Sequence, residues 1–273
     1  MLSVIIPASN EEGYIGTCLT ALFSSDPVPG GAEAIVVANG CRDGTVAMAR
    51  GLTAMAKAAG WGLTVIERAE GGKPGALNAG DAMAQGNLRT YLDADVVVSP
   101  GLIAALARAL SGQTARYATG TAQIPPAHSM ITRAYSGFWQ RLPFARSNAP
   151  GYGLFAVNEA GRARWGDFPA IISDDTFVRL HFLPSERVQV LDAYDWPMIE
   201  GFSALTRVRR RQDAGVAEIG RLYPELLARE GKVRLSNGEL VALALRDPVG
   251  FATYAAVSLA VRRGKASDWT RGR

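Results

Sequence analysis

The sequence predicts an α/β protein: a mostly parallel central sheet flanked by helices, followed by a helical C-terminal extension. Three observations lead there. The first hundred residues alternate short apolar runs with helically spaced segments, a rhythm that builds a parallel sheet covered by helices. Of the 273 residues 48% are hydrophobic and 20% charged, enough apolar chain for a large core and too little charge for a disordered chain. After about residue 203 the pattern turns helical and basic.

The elements follow in order. Leu2–Pro7 is a buried-strand run ended by proline. Glu11–Ser24 is helical, with Ile15, Leu19, Leu22 and Phe23 near one face. Ala34–Asn39 is a second strand, and Asp43–Ala59 a helix that places Trp61 at its end as a structural residue. Leu63–Arg68 is a third strand. Pro74–Gln85 is a helix with proline tolerated in its first turn. Leu88–Asp95 is a fourth strand ending in acid, and Gly101–Leu110 a helix. Beyond residue 112 the rhythm loosens: a strand over 117–124, a helix over 127–142, a glycine- and proline-bearing loop over 146–153, a short apolar run over 154–157 and a late strand over 187–194. This divides the chain into a first half, 1–111, a second half of the same domain, 112–202, and an extension, 203–273.

Ligands of such sheets sit at the carboxyl ends of the strands. Four loops therefore share one rim: 8–12, 39–45, 68–73 and 93–95. Asp93-Ala94-Asp95 ends a strand there. Magnesium and manganese take one or two carboxylates plus phosphate oxygens, so the pair reads as a divalent-metal site; the alternative is a solvated acidic turn. Asp174-Asp175 is a second acidic pair with two readings, a helix cap at Ser173 or Asp174 and a general base that takes a hydroxyl's proton as it attacks.

With these residues in place, the sequence resembles the family 2 glycosyltransferases, whose fold is the Rossmann-like GT-A fold. VIIPASNEE is similar to the family's Pro-x-x-Asn-Glu strand, and ANGCRDGT to its aspartate-rich second-strand segment. GGKPGALNAG resembles its Lys-x-x-Ala-Leu-Asn segment, YLDADVVVSP its metal-binding aspartates, and SDDTFVRL its Glu-Asp motif. The five come in the family's order over about residues 2–180. The resemblance implies a nucleotide-sugar pocket shaped by Pro7, Ala8, Asn10 and Glu11, with Asn39 in the place of an aspartate that touches the base or ribose. Asp43 and Lys73 would lie near the donor. Asp93 would face ribose and metal with Ala94 beside it, and Asp95 would be the principal ligand of Mn2+ or Mg2+. Asp175 would be the base, Asp174 the minor alternative. Gly151, Tyr152 and Gly153 would border the acceptor. A single displacement with inversion follows from the same resemblance, with a UDP-sugar as the default donor and a saccharide or lipid-linked hydroxyl as acceptor.

The chain departs from the family pattern in two ways. The acidic pair is Asp-Asp rather than Glu-Asp, and the Gln-x-x-Arg-Trp motif of processive synthases is missing, which argues for transfer of one sugar. TRVRRRQDAG stands in roughly that region; one of Arg207, Arg209, Arg210 and Arg211, with Arg211 preferred, is placed on the diphosphate, since guanidinium matches phosphate geometry. The alternative is a solvated basic helix face. His128 and His181 read as non-ligands, His181 because it lies at i+6 from Asp175. Trp139 and Trp165 read as core or as aromatic stacking surfaces.

Other readings fit less well. The first loop lacks the glycines of a nucleotidyltransferase, and no G-x-G-x-x-G follows the first strand as a dehydrogenase requires. A non-catalytic member that binds a nucleotide sugar or a partner would not need the base. Net charge +4 without basic, aromatic-interleaved stretches gives no reason to expect nucleic acid. Two cysteines, Cys18 and Cys41, and an opening that reads as a strand rather than a leader point to a reducing, cytoplasmic setting. Phe251–Val261 is too short to span a bilayer. Followed by Arg262, Arg263 and Lys265, it reads either as a helix packed on the protein or as a peripheral contact with the inner face of an anionic membrane.

Overall fold

The computed structural model of the chain describes residues 1–146, 149–231 and 235–263. Its first strand, β1 (Leu2–Ala8), is buried along its whole length. Side chains alternate between two layers, as a pleated strand requires: Leu2, Val4, Ile6 and Ala8 enter one core cluster, Ile5 the other. A helix α1 (Glu12–Phe23) covers the first face. β2 (Ala32–Asn39) pairs parallel with β1, Val4 opposite Ala34 and Ala8 opposite Ala38.

The expected helix over 43–59 is two, α2 (Thr45–Gly51) and α3 (Thr53–Ala58), with Leu52 between them. Trp61 is not a helix end but the first residue of β3 (Trp61–Arg68), packed against Phe23 with ring centroids 5.8 Å apart. α4 (Lys73–Met83) follows, then β4 (Leu88–Leu92), parallel to β1. Asp93–Asp95 lies beyond the strand, in a turn, rather than on it. The short β5 (Val97–Val98) was not legible in the sequence.

α5 (Leu102–Ala109) leads to β6 (Tyr117–Gln123), α6 (Met130–Trp139) and the single turn α7 (Pro143–Arg146). The apolar run at 154 is a full strand, β7 (Leu154–Asn158), antiparallel to β4. α8 (Glu159–Arg162) and α9 (Asp174–Leu180) precede β8 (Arg187–Asp195). The extension comprises α10 (Phe202–Leu222), α11 (Pro224–Leu227), α12 (Asn237–Arg246) and α13 (Pro248–Arg263). Lys265 lies outside the described residues, as do Ser147 and Asn148 of the 146–153 loop. Among the described residues no helix is long and apolar enough to cross a membrane.

The eight strands form one sheet in the order β3-β2-β1-β4-β7-β6-β8-β5. β7 runs antiparallel to both β4 and β6, and β6 runs parallel to β8. It follows that β1, β2, β3, β4, β6 and β8 all point the same way. Their carboxyl ends form one rim, and β7 enters the sheet from that rim. The sheet therefore joins the two halves read from the sequence.

Candidate active site

The rim is built first by backbone. Pairing of β1 with β4 ends at Ile5 opposite Tyr91, so Pro7, which has no N–H to donate, stands where the two strands part. The loops after β1 and β2 are tied together. Asn10, at φ 56°, accepts from the Arg42 amide at 2.7 Å. Asp43 accepts from the Glu12 amide at 3.2 Å and from the Thr45 hydroxyl at 2.5 Å, while the Glu11 amide donates to Thr45 Oγ1 at 2.8 Å. Desolvation acts to raise the Asp43 pKa, but the Thr45 and Glu12 hydrogen bonds outweigh it and hold the carboxyl below its ordinary range.

Asn39 is 3% exposed. Its Nδ2 donates to the Ala8 carbonyl at 3.0 Å and to Val37 O at 3.3 Å, and its Oδ1 accepts from the Gly72 amide at 3.0 Å. One buried side chain thus fastens the ends of β1 and β2 to the segment that starts α4. Gly40 allows the close approach: at φ 60° a β-carbon there would meet Gly71 Cα at 3.1 Å.

Lys73, the first residue of α4, is therefore held in place from below. Its Nζ lies 2.8 Å from Asp93 Oδ1 and 3.1 Å from Asp174 Oδ2. Pro7, Lys73, Asp93, Gly153, Asp174 and Asp175 line one cleft. Burial lowers the affinity of Lys73 for its proton, but Asp174, Asp93 and Asp175 outweigh it and keep the ammonium charged. Asp174 is buried; desolvation, opposed by Lys73 and aided by Asp175 and Asp93, pushes its carboxyl up to about 6. Ser173 occupies the N-cap position of α9 but makes no side-chain capping bond, so neither Ser173 nor Asp174 serves as the expected cap. Asp175 is half-buried, and its Oδ1 accepts from the Thr176 amide at 2.6 Å.

The Asp93–Asp95 turn is anchored on both sides. The Asp93 amide donates to Gly153 O at 2.8 Å, Ala94 is buried, and Cys18 Sγ lies 3.8 Å from Asp93 O. Burial, followed by the charges of Asp95, Asp93 and Glu11, raises the Cys18 thiol pKa, which places that thiol beneath the acidic turn in its protonated form. Among the described residues no three histidine, cysteine, aspartate or glutamate side chains converge as a metal cage. Two half-exposed aspartates fit the smaller protein share of a magnesium or manganese site, which is completed by phosphate oxygens and water. His181 is turned inward, with Nδ1 2.9 Å from Phe177 O, so it is not part of that turn.

The segment Gly151–Gly153 reaches the same cleft through Gly153. Gly153, at φ 65°, has no room for a β-carbon, which would meet Val96 Cγ2 at 2.9 Å and Trp196 Cδ1 at 3.0 Å. Gly151 and Tyr152 precede it, and the Tyr152 carbonyl accepts from the Tyr194 hydroxyl at 2.8 Å. The Tyr152 ring stacks on Trp196, centroids 5.0 Å apart, with Trp139 5.3 Å from Tyr152. Trp196 escaped the sequence reading. Its signal was its place directly after β8, at a carboxyl end. Trp165 is instead a core residue, beside Phe168 and His181.

The structure separates the four arginines of α10. Arg209 bonds Tyr135 and Asp213, and Arg210 donates to the Ala260 and Val261 carbonyls. Arg207 is exposed. Arg211 is half-buried and has no hydrogen bond or ion pair among the described residues. It lies one helical turn before Gly215, where a β-carbon would strike the Ser173 side chain. Arg211 therefore shares the α10 face that abuts the start of the acidic pair.

The sequence model of Glycosyl transferase family 2 matches residues 3–163, more than half of the chain and short of the acidic pair. No curated protein matches it. Among solved structures, S. aureus TarS 1–349 in complex with UDP is 15% identical, with 97% of this chain and 92% of that one covered at a TM-score of 0.58. The mannosyltransferase PcManGT from Pyrobaculum calidifontis, in complex with GDP-Man and Mn2+, is 21% identical over 97% and 76%, TM-score 0.58. Glucosyl-3-phosphoglycerate synthase from Mycobacterium tuberculosis, in complex with Mn2+, UDP and glucosyl-3-phosphoglycerate, is 18% identical over 81% and 79%, TM-score 0.53. At these identities the likeness establishes the fold.

Proposed function

The chain belongs to glycosyl transferase family 2 and is a glycosyltransferase, and on that premise we propose that it moves one sugar from a nucleotide-diphosphate donor to an acceptor hydroxyl, with inversion at the anomeric carbon. The observation that carries the reading is Lys73, bridged between Asp93 at the end of β4 and Asp174 at the start of α9 in the cleft that also holds Asp175. A binding protein has no use for a carboxylate pair aimed at the same cleft as the donor aspartates.

The nucleotide lies over the ends of β1 and β2, against Pro7, Ala8, Asn10, Glu11 and Asp43. Asn39 acts on it from below, through the loop it holds. Asp93 and Asp95 would hold Mn2+ or Mg2+ together with the donor's diphosphate. A bound cation supplies Lewis-acid stabilisation of the departing diphosphate. Arg211 approaches the same phosphates as a fork-shaped donor. Asp175, oriented by the Thr176 amide, takes the proton of the attacking hydroxyl as the acceptor oxygen bonds to the anomeric carbon and the bond to diphosphate breaks. Asp174 is the positioning carboxylate, fixing Lys73 rather than touching the acceptor. Gly151, Tyr152 and Gly153, with Trp196, form the acceptor side, where an aromatic face suits a saccharide or a lipid-linked sugar. UDP-sugars are the first donors to test, because TarS and the M. tuberculosis synthase were solved with UDP; GDP follows from PcManGT.

The test is a thermal-shift panel of UDP, GDP, dTDP and CMP, with and without manganese. Saturation at about a hundred times the dissociation constant adds roughly 2.7 kcal/mol of stability. One nucleotide that stabilises the protein more with manganese supports the reading. No shift with any nucleotide overturns it.

A further inference from the structure

We propose that the outer face of α12 and α13 is a docking surface for an anionic lipid bilayer. α12 contains Leu240, Val241, Leu243 and Leu245, yet it has no buried residue. Val241 is 57% exposed and Leu245 79%. The apolar run singled out in the sequence, 251–261, is divided between two faces. Its inner face packs on the protein: Val257 is fully buried, and Phe251 and Tyr254 lie 5.7 and 5.3 Å from the Phe138 ring of α6. Its outer face carries Val249, Ala252, Ala256 and Leu259, all exposed and spaced three or four apart, so they form one stripe.

The carboxyl end of the stripe has an exposed apolar neighbour. Phe138 meets Phe251 and Tyr135 meets Tyr254, so α6 and α13 run antiparallel. The amino end of α6, where Met130 is 82% and Ile131 42% exposed, therefore lies beside the carboxyl end of α13.

Charge selects the occupant. Among the described residues the exposed charges of α12 and α13 are Arg246, Arg262 and Arg263 against Glu239, while Asp247 between the helices is neutralised by its ion pair with Arg141. Leucine and valine flanked by arginine suit the boundary between headgroups and acyl chains, with the guanidinium groups reaching anionic lipid. No described helix is long and apolar enough to cross a membrane, and an amphipathic face of this kind rests at the headgroup boundary. Trp139, the last residue of α6, touches both Tyr152 and Trp196, so the helix on which α13 packs also reaches the residues proposed for the acceptor side. The inference itself does not depend on the catalytic reading.

The experiment is flotation of the full chain with phosphatidylglycerol-rich and with pure phosphatidylcholine vesicles, at low and high salt. The expected result is binding to the anionic vesicles that weakens in salt and on neutral lipid. Leu245→Glu with Leu259→Glu should cut the partition coefficient by at least about tenfold. Arg262→Gln with Arg263→Gln should cut it by roughly tenfold to thirtyfold on anionic lipid alone. Both double variants should melt as the wild type does and keep its nucleotide-induced shift, so a failed donor site is told apart from a failed membrane site. No flotation at low salt, or flotation unchanged by the leucine substitutions, overturns the proposal. So does a wild-type dimer in sedimentation that the leucine substitutions dissociate, because the face is then covered by a second copy.

Discussion

Lys73 Nζ stands 3.1 Å from Asp174 Oδ2, joining the start of α4 to the start of α9 across the mouth of the cleft. The two residues are far apart in the chain and contribute opposite charges to one site. The same ammonium reaches Asp93 at 2.8 Å, so its removal leaves Asp93 and Asp174 without the counter-charge they share. Lys73→Met is expected to lower the rate of sugar transfer by about 10²–10³-fold, the usual loss for one preorganised charged donor. Release of nucleoside diphosphate from a donor sugar measures it. A rate within a factor of a few of wild type would remove Lys73 from the machinery.

Asp175→Asn keeps the shape of the side chain but cannot take a proton. Transfer should fall by about 10²–10⁴-fold, the range for loss of a general base, while the nucleotide-induced thermal shift stays. If Asp174→Asn abolishes transfer and Asp175→Asn does not, the base is Asp174 and the roles are exchanged.

Asn39 stands where the resembling family carries aspartate, and Asn39→Asp should nonetheless destabilise this chain. A carboxylate cannot donate to the Ala8 and Val37 carbonyls that Nδ2 now serves at 3.0 and 3.3 Å. The buried mismatch should cost about 2–3 kcal/mol at neutral pH, read as a fall in denaturation midpoint at unchanged slope.

Arg210 and Arg211 are neighbours with different work. Arg210→Ala removes donors to the Ala260 and Val261 carbonyls at the end of α13 and should cost roughly 1 kcal/mol of stability without changing nucleotide affinity. Arg211→Ala should leave the melting temperature unchanged and weaken nucleoside-diphosphate binding about tenfold or more, as loss of a charged hydrogen bond does. Isothermal titration with UDP and manganese separates the two.

Glu186 provides the pH test of the fold away from the site. Its carboxylate receives two bonds from the Arg164 guanidinium, at 2.7 and 2.5 Å, and one from the Leu183 amide. The Arg164 bonds bring its pKa down to about 2 from the ordinary 4.5. The folded state thus binds this proton more weakly than the unfolded chain. The stabilisation is complete above about 4.5 and is lost as pH falls toward 2. After allowance for solvent screening it amounts to about 1–2 kcal/mol. Glu186→Gln should flatten that part of the acid-stability curve in urea titrations, and an unchanged curve would mean that the pair contributes nothing.

The sequence by itself determined the strand-helix rhythm of the first hundred residues. It also determined the rim that gathers Pro7, Asn39, Lys73 and the Asp93–Asp95 turn. These are local matters: buried runs of period two, helical spacing, and the rule that parallel strands offer ligands their carboxyl ends. Boundaries slipped where a local choice was close, as at Leu52, which splits one expected helix, and at Trp61, which begins a strand rather than ending a helix. Only the tertiary structure decided the rest. The reversal of β7 brings Gly151–Gly153 to the same rim as β4. The packing of α10 against Ser173 distinguishes Arg211 from the arginines beside it. The end of β8 delivers Trp196 to Tyr152. Each is a meeting of segments far apart in the chain, fixed by strand order and helix docking, and no pattern within a short window encodes it.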